Sequence, residues 1–131
     1  MKFASPAVWV LLAALGLGCT GSRNTNLSPT TAVAPTGATH LFETTFRTQR
    51  RGVSPANVKA WVVIGLNLYP MQPVPNTVDR FEALLPLPTD RSVVRYRYKF
   101  EFLYPEVREN RINSTLSPEY ELRVSQGSGA R

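Results

Sequence analysis

Over residues 92–104 side-chain character alternates, without a break from Arg95 to Phe102. Val94, Tyr96, Tyr98, Phe100, Phe102 and Tyr104 fall on one parity, and Val93, Arg95, Arg97, Lys99, Glu101 and Leu103 on the other. A period of two belongs to a strand, and an apolar face backed by a charged one marks an antiparallel sheet with one side on a core and the other in water. Shorter alternations predict strands over 40–49, with Phe42, Thr44, Phe46 and Thr48 on one parity, over 78–85, with Phe81, Ala83 and Leu85 inward, and over 119–125, with Tyr120, Leu122 and Val124 inward. Residues 57–64 are apolar on both parities, Val58, Ala60, Val62 and Ile64 against Trp61 and Val63. That pattern predicts a strand covered on both sides, or one helical turn competing with it, and it puts Trp61 in the core. Gly65 and Asn67 supply a turn, and 68–71 a short return strand.

Proline and polar runs punctuate these elements. Pro70, Pro73 and Pro75 cannot donate to a central ladder, so 70–76 belongs to an edge or a loop. Residues 86–90 (Pro-Leu-Pro-Thr-Asp) turn the chain into the long alternating strand, Pro105 ends it, 106–117 reads as a charged and polar loop, and 126–131 as a frayed tail. Six to seven short strands without a 3.6-residue period predict an all-β fold, an immunoglobulin-like antiparallel β-sandwich over 40–125. Ahead of it, 20–39 is rich in Ser, Thr, Pro and Gly and poor in large apolar side chains. Such a stretch buries too little surface to offset its ordering entropy, so 19–39 is expected to be a flexible tether reaching about 25 Å.

Residues 58–124 resemble the early-set immunoglobulin-like domains of bacterial envelope proteins, through Val62-Val63-Ile64, Phe81-Glu82-Ala83-Leu84-Leu85-Pro86, Tyr96-Arg97-Tyr98-Lys99-Phe100 and the run from Pro118 to Val124. The Phe-x-Ala-x-Leu-Pro and Tyr-x-Tyr-Lys-Phe pair is also similar to the starch- and glycogen-binding modules of branching enzymes. That likeness implies sugar stacking on exposed rings, for which Trp61, Tyr69 and Tyr104 are the candidates.

The first 18 residues read as an export signal: Lys2 is the positive n-region, and 8–17 form an apolar stretch too short to span a bilayer. It ends Leu15-Gly16-Leu17-Gly18-Cys19, and Cys19 is the chain's single cysteine. This resembles a bacterial lipobox, with Gly16 where the family prefers Leu. The resemblance implies cleavage before Cys19, acylation of its sulfur and amine, and a membrane anchor. Thr20, where the family places Asp for retention at the inner membrane, implies the outer membrane, with the domain in the periplasm.

Removing residues 1–18 leaves 113 of the 131 residues, one domain, and lowers the net charge from +6 to +5 as Lys2 departs. An exported basic protein meets lipid headgroups and acidic polysaccharide, and not nucleic acid. Arg95, Arg97 and Lys99 project together and form a candidate patch for an anionic ligand, the plainer expectation being a solvated face. Glu119 and Glu121 share the outward parity of the last strand and are expected opposite Lys99 and Arg97. With His40 as the only histidine and no paired-carboxylate motif, no enzyme, metal or cofactor is expected. The partners expected are the membrane, through Cys19, and envelope proteins or anionic polysaccharide.

Overall fold

The computed structural model describes residues 22–33, 38–49, 52–105 and 108–125; the expected export signal (1–18), Cys19 and the tail expected over 126–131 lie outside them. The strands are β1 (Ser22–Asn26), β2 (Thr31–Val33), β3 (Thr39–Thr48), β4 (Val58–Ile64), β5 (Asn67–Pro70), β6 (Gln72–Pro73), β7 (Arg80–Pro86), β8 (Val93–Pro105), β9 (Asn110–Leu116) and β10 (Tyr120–Ser125). They form two sheets, ordered β1-β3-β7-β6 and β2-β10-β8-β4-β5, with β9 also paired to β8. All pairings are antiparallel except β2–β10. Four strands over against a sheet built on the long β8 is the ABED-against-GFC order of an immunoglobulin-like sandwich. The all-β expectation holds, with more strands than the six or seven predicted.

The core lies between the sheets and is mostly aromatic. Phe42, Phe46 and Phe81 come from the smaller sheet, and Val94, Tyr96, Tyr98, Phe100 and Phe102 from β8. Phe46 stacks on Phe100 with centroids 4.3 Å apart, and Phe42 meets Tyr96 edge-on at 4.9 Å. Such pairs contribute about 0.5–1.5 kcal/mol beyond the area they bury. The parity predicted for β8 is the one observed: 94, 96, 98, 100 and 102 are buried, while 95 and 97 are exposed.

Two expectations need correction. The stretch composed like a tether contains β1 and β2, so it is part of the sandwich over 22–33. This segment runs along β3 in one sheet and then crosses to lie parallel to β10 in the other, closing that side of the sandwich. Besides its backbone ladders it is held by polar contacts: Asn26 and Ser28 hydrogen-bond the hydroxyls of Tyr96 and Tyr98. On the opposite side, buried Met71 marks the crossing from β5 to β6, its amide donating to the Ala60 carbonyl.

The second correction concerns 106–117, expected as a loop, of which 110–116 is the strand β9. Leu116 pairs with Lys99 and Tyr120 with Tyr96, so four steps on one strand match three on the other. One residue is therefore inserted, a bulge at 117–119. There the Ser117 Oγ accepts from the Tyr98 amide and donates to the Pro118 carbonyl, both at 2.8 Å, keeping the ladder satisfied across a proline. The insertion flips parity, so Ile112, Ser114 and Leu116 share the outer face while Leu122 and Val124 point inward.

Candidate functional site

The outer face of the larger sheet carries most of the residues that the sequence singles out. Arg95, Arg97 and Lys99 point outward from β8 as expected, but their partners are shifted by one pair. Arg95 meets Glu121 at 3.3 Å and Arg97 meets Glu119 at 3.7 Å. Register explains the shift, because Glu121 lies opposite Arg95 and the bulge carries Glu119 beside Arg97. Lys99 pairs instead with Glu101, 2.9 Å away on its own strand, and its Nζ stands 5.5 Å from the centre of the Trp61 ring. All three cations thus face a carboxylate already. Exposed pairs of this kind contribute about 0.2–1 kcal/mol each and leave little free positive charge for a ligand. Beside them, Arg91, Arg95, Arg97, Glu119 and Glu121 with Val63 and Val93 line an open groove of about 520 Å³ that carries charge of both signs.

Trp61 is not in the core. Ala60 and Val62 fill the interior from β4, and Trp61 lies half-buried on the outer face, paired across strands with Lys99. An apolar run on both parities does not distinguish a strand covered twice from one whose outer face is apolar and open. Tyr69 and Tyr104 instead pack against the core cluster. The three rings read as a sugar platform therefore do not share a face.

The outer face also carries apolar side chains. Trp61 and Val63 on β4, Leu68 on β5, Leu103 on β8 and Ile112 and Leu116 on β9 are interleaved there with Arg97, Lys99 and Glu101. Ile112 is 72% exposed and Leu116 57%. Beyond them, β9 pairs with β8 alone among the described residues, which makes it an edge strand of the described sheet. Sequence reasoning missed this surface because 110–116 was read as loop; the signal available was Ile112, Ser114 and Leu116 on one parity.

His40 lies at the start of β3, buried and edge-on to Phe42 at 4.8 Å. Its Nε2 has no hydrogen-bond partner among the described residues. Desolvation lowers its pKa from the usual 6.5, so the folded state holds it neutral. The unfolded chain binds a proton as the pH drops below 6.5 and the folded chain does not, so stability is full above that pH and falls below it. Melting temperature is therefore expected to decline from about pH 7.5 to about 5.5, and His40→Phe to flatten that decline. A slope unchanged in the variant would mean that another group titrates. Among the described residues no cluster of three or more His, Cys, Asp or Glu is placed to hold a metal ion.

No protein-family model matches the chain, and the search of curated proteins finds no match.

Proposed function

We propose that the chain is an outer-membrane lipoprotein, anchored through acyl chains on Cys19, whose early-set immunoglobulin-like domain is a structural or protein-interaction module of the periplasm. The observation that carries the anchor is the apolar stretch ending Leu-Gly-Leu-Gly-Cys at the only cysteine of the chain, three residues ahead of β1. Acyl chains contribute about 0.8 kcal/mol per buried methylene, and two or more hold a soluble domain stably on a bilayer. The interaction role is supported by the exposed apolar side chains Leu68, Ile112 and Leu116 on the outer face and by the edge position of β9 among the described strands, which together suit an added strand or a flat protein partner. A sugar platform needs two rings on one face, and the separation of Trp61 from Tyr69 and Tyr104 favours protein contact over stacking. An anionic polymer needs free cations, and the carboxylates beside Arg95, Arg97 and Lys99 weigh against it.

Cys19→Ala is expected to move the protein out of the acylated membrane fraction, and an inhibitor of lipoprotein signal peptidase to make the unprocessed precursor accumulate. Wild-type protein recovered soluble and without lipid would refute the anchor. A photo-crosslinker at Ile112 should capture envelope proteins that the same probe at Leu84, exposed on the other sheet, does not. Equal capture at both positions would remove the case for the β9 face.

A further inference from the structure

The position of β1 determines how close an anchored domain stands to its membrane. Composition predicts some 20 residues of slack after Cys19, a reach of about 25 Å. β1 begins at Ser22, three residues after Cys19, and three residues span at most about 10 Å. The headgroup layer on each side of the hydrocarbon core is about 5–8 Å deep. With Cys19 acylated, Ser22 therefore stands in that layer or just above it. We propose that the end of the sandwich where β1 starts is seated on the anionic lipid headgroups of the leaflet that holds the Cys19 acyl chains. This rests on the lipid-anchor reading above.

That end has the chemistry such a surface requires. Ser22 pairs with Thr48, and Arg23 lies directly opposite Arg47. Like charges facing each other across two strands are unfavourable unless an anion lies between them. The Arg47 Nε donates to Asp79, while exposed Arg23 has no carboxylate partner among the described residues. Thr25 and Thr45, paired on the same face, complete with Arg23, Arg47 and Asp79 an open recess of about 300 Å³. With Arg47 held by Asp79, the Arg23 guanidinium and the two threonine hydroxyls are the donors left for a phosphate.

Beside the cations the same end is apolar. Val53, Pro55, Val58 and Val78, with Phe46 and Phe81 beneath them, line a recess of about 430 Å³, and Val78 is 73% exposed. Basic residues ringing an apolar tip match the headgroup boundary, where cations meet phosphate and apolar side chains meet the upper acyl region. Each arginine near an anionic leaflet strengthens association about five-fold, so the seating is expected to depend on leaflet charge.

The test uses the full lipidated protein. Its own cysteine is consumed by lipid, so one introduced cysteine is the only thiol. Val78→Cys at the seated end and Leu66→Cys, 98% exposed in the β4–β5 turn at the opposite end, are labelled with a fluorophore. The labelled proteins are reconstituted into phosphatidylcholine–phosphatidylglycerol vesicles carrying a headgroup-attached quencher. Quenching at Val78→Cys is expected to be several-fold stronger than at Leu66→Cys, and to weaken with Arg23→Glu and in vesicles of phosphatidylcholine alone. Protein recovered without lipid in the aqueous fraction overturns the anchor reading and the seating with it. Membrane-bound protein quenched equally at both sites, or at Val78 regardless of Arg23→Glu, overturns the seating alone.

Discussion

Phe100→Ala is expected to give unfolded or degraded protein, while Arg97→Ala melts like the wild type. Phe100 is 1% exposed, stacks on Phe46 at 4.3 Å and lies within 6.3 Å of Phe81, so its ring joins the two sheets at the middle of β8. Truncating it removes the packing and leaves a cavity, a cost of about 3–5 kcal/mol. Domains of this size have about 5–15 kcal/mol in total, and this one has no disulfide to limit its unfolded state, because Cys19 is its only cysteine. Three residues away, Arg97 is half-exposed and holds Glu119 at 3.7 Å, a contact whose loss changes stability by no more than about 0.5 kcal/mol. Thermal melts of the two purified variants decide the matter. The opposite ranking would mean that the basic parity faces the core.

The strand that carries Phe100 was legible in the sequence because one parity is aromatic and the other charged without interruption over the eight residues 95–102, and one face of a sheet is read from period alone. The elements that escaped lack that contrast. β9 presents Asn113 and Thr115 inward and Ile112 and Leu116 outward, the reverse of what a core-facing pattern would show, and the bulge at 117–119 then changes the phase. β1 contains no large apolar side chain, so composition alone reads it as solvated chain; its place is set by its ladder with β3 and by Asn26 hydrogen bonds to residues some 70 positions away. The candidate surfaces show the same division. Parity placed Arg95, Arg97 and Lys99 outward, but which carboxylate each meets depends on the register and on one inserted residue. Trp61 was assigned inward because valine surrounds it, and local apolarity cannot say which side of a sheet has a partner.

The Asn26→Ala, Ser28→Ala double variant is expected to lower the melting temperature by about 10 °C or more, an effect that a tether would never show. Asn26 donates from Nδ2 to the Tyr96 hydroxyl at 2.8 Å and accepts at Oδ1 from the Tyr98 hydroxyl at 2.9 Å. The Ser28 Oγ lies 2.9 Å from the Tyr98 hydroxyl and accepts from the Glu43 amide at 2.8 Å. Both tyrosines are almost fully buried, and desolvation raises their pKa values above the ordinary phenol value of 10, so the hydroxyls stay protonated and require partners. In the double variant the Tyr96 hydroxyl and the Glu43 amide lose these partners, the part-buried Ser28 amide loses Asn26 Oδ1, and Tyr98 retains the longer 3.2 Å bond to the Glu43 carbonyl; the first two groups alone set a lower bound on the cost. A buried polar group left without its partner costs about 1–3 kcal/mol, so two such groups cost about 2–6 kcal/mol. At about 4–8 °C per kcal/mol in a domain of this size, the shift stands well outside the error of a melting curve. Tyr98→Phe separates the two contributions, because it removes the hydroxyl along with its need and should cost less than removing the partners around it. A double variant that melts with the wild type would return residues 22–33 to the role of a tether and remove the short-reach argument for the proposed seating on the membrane.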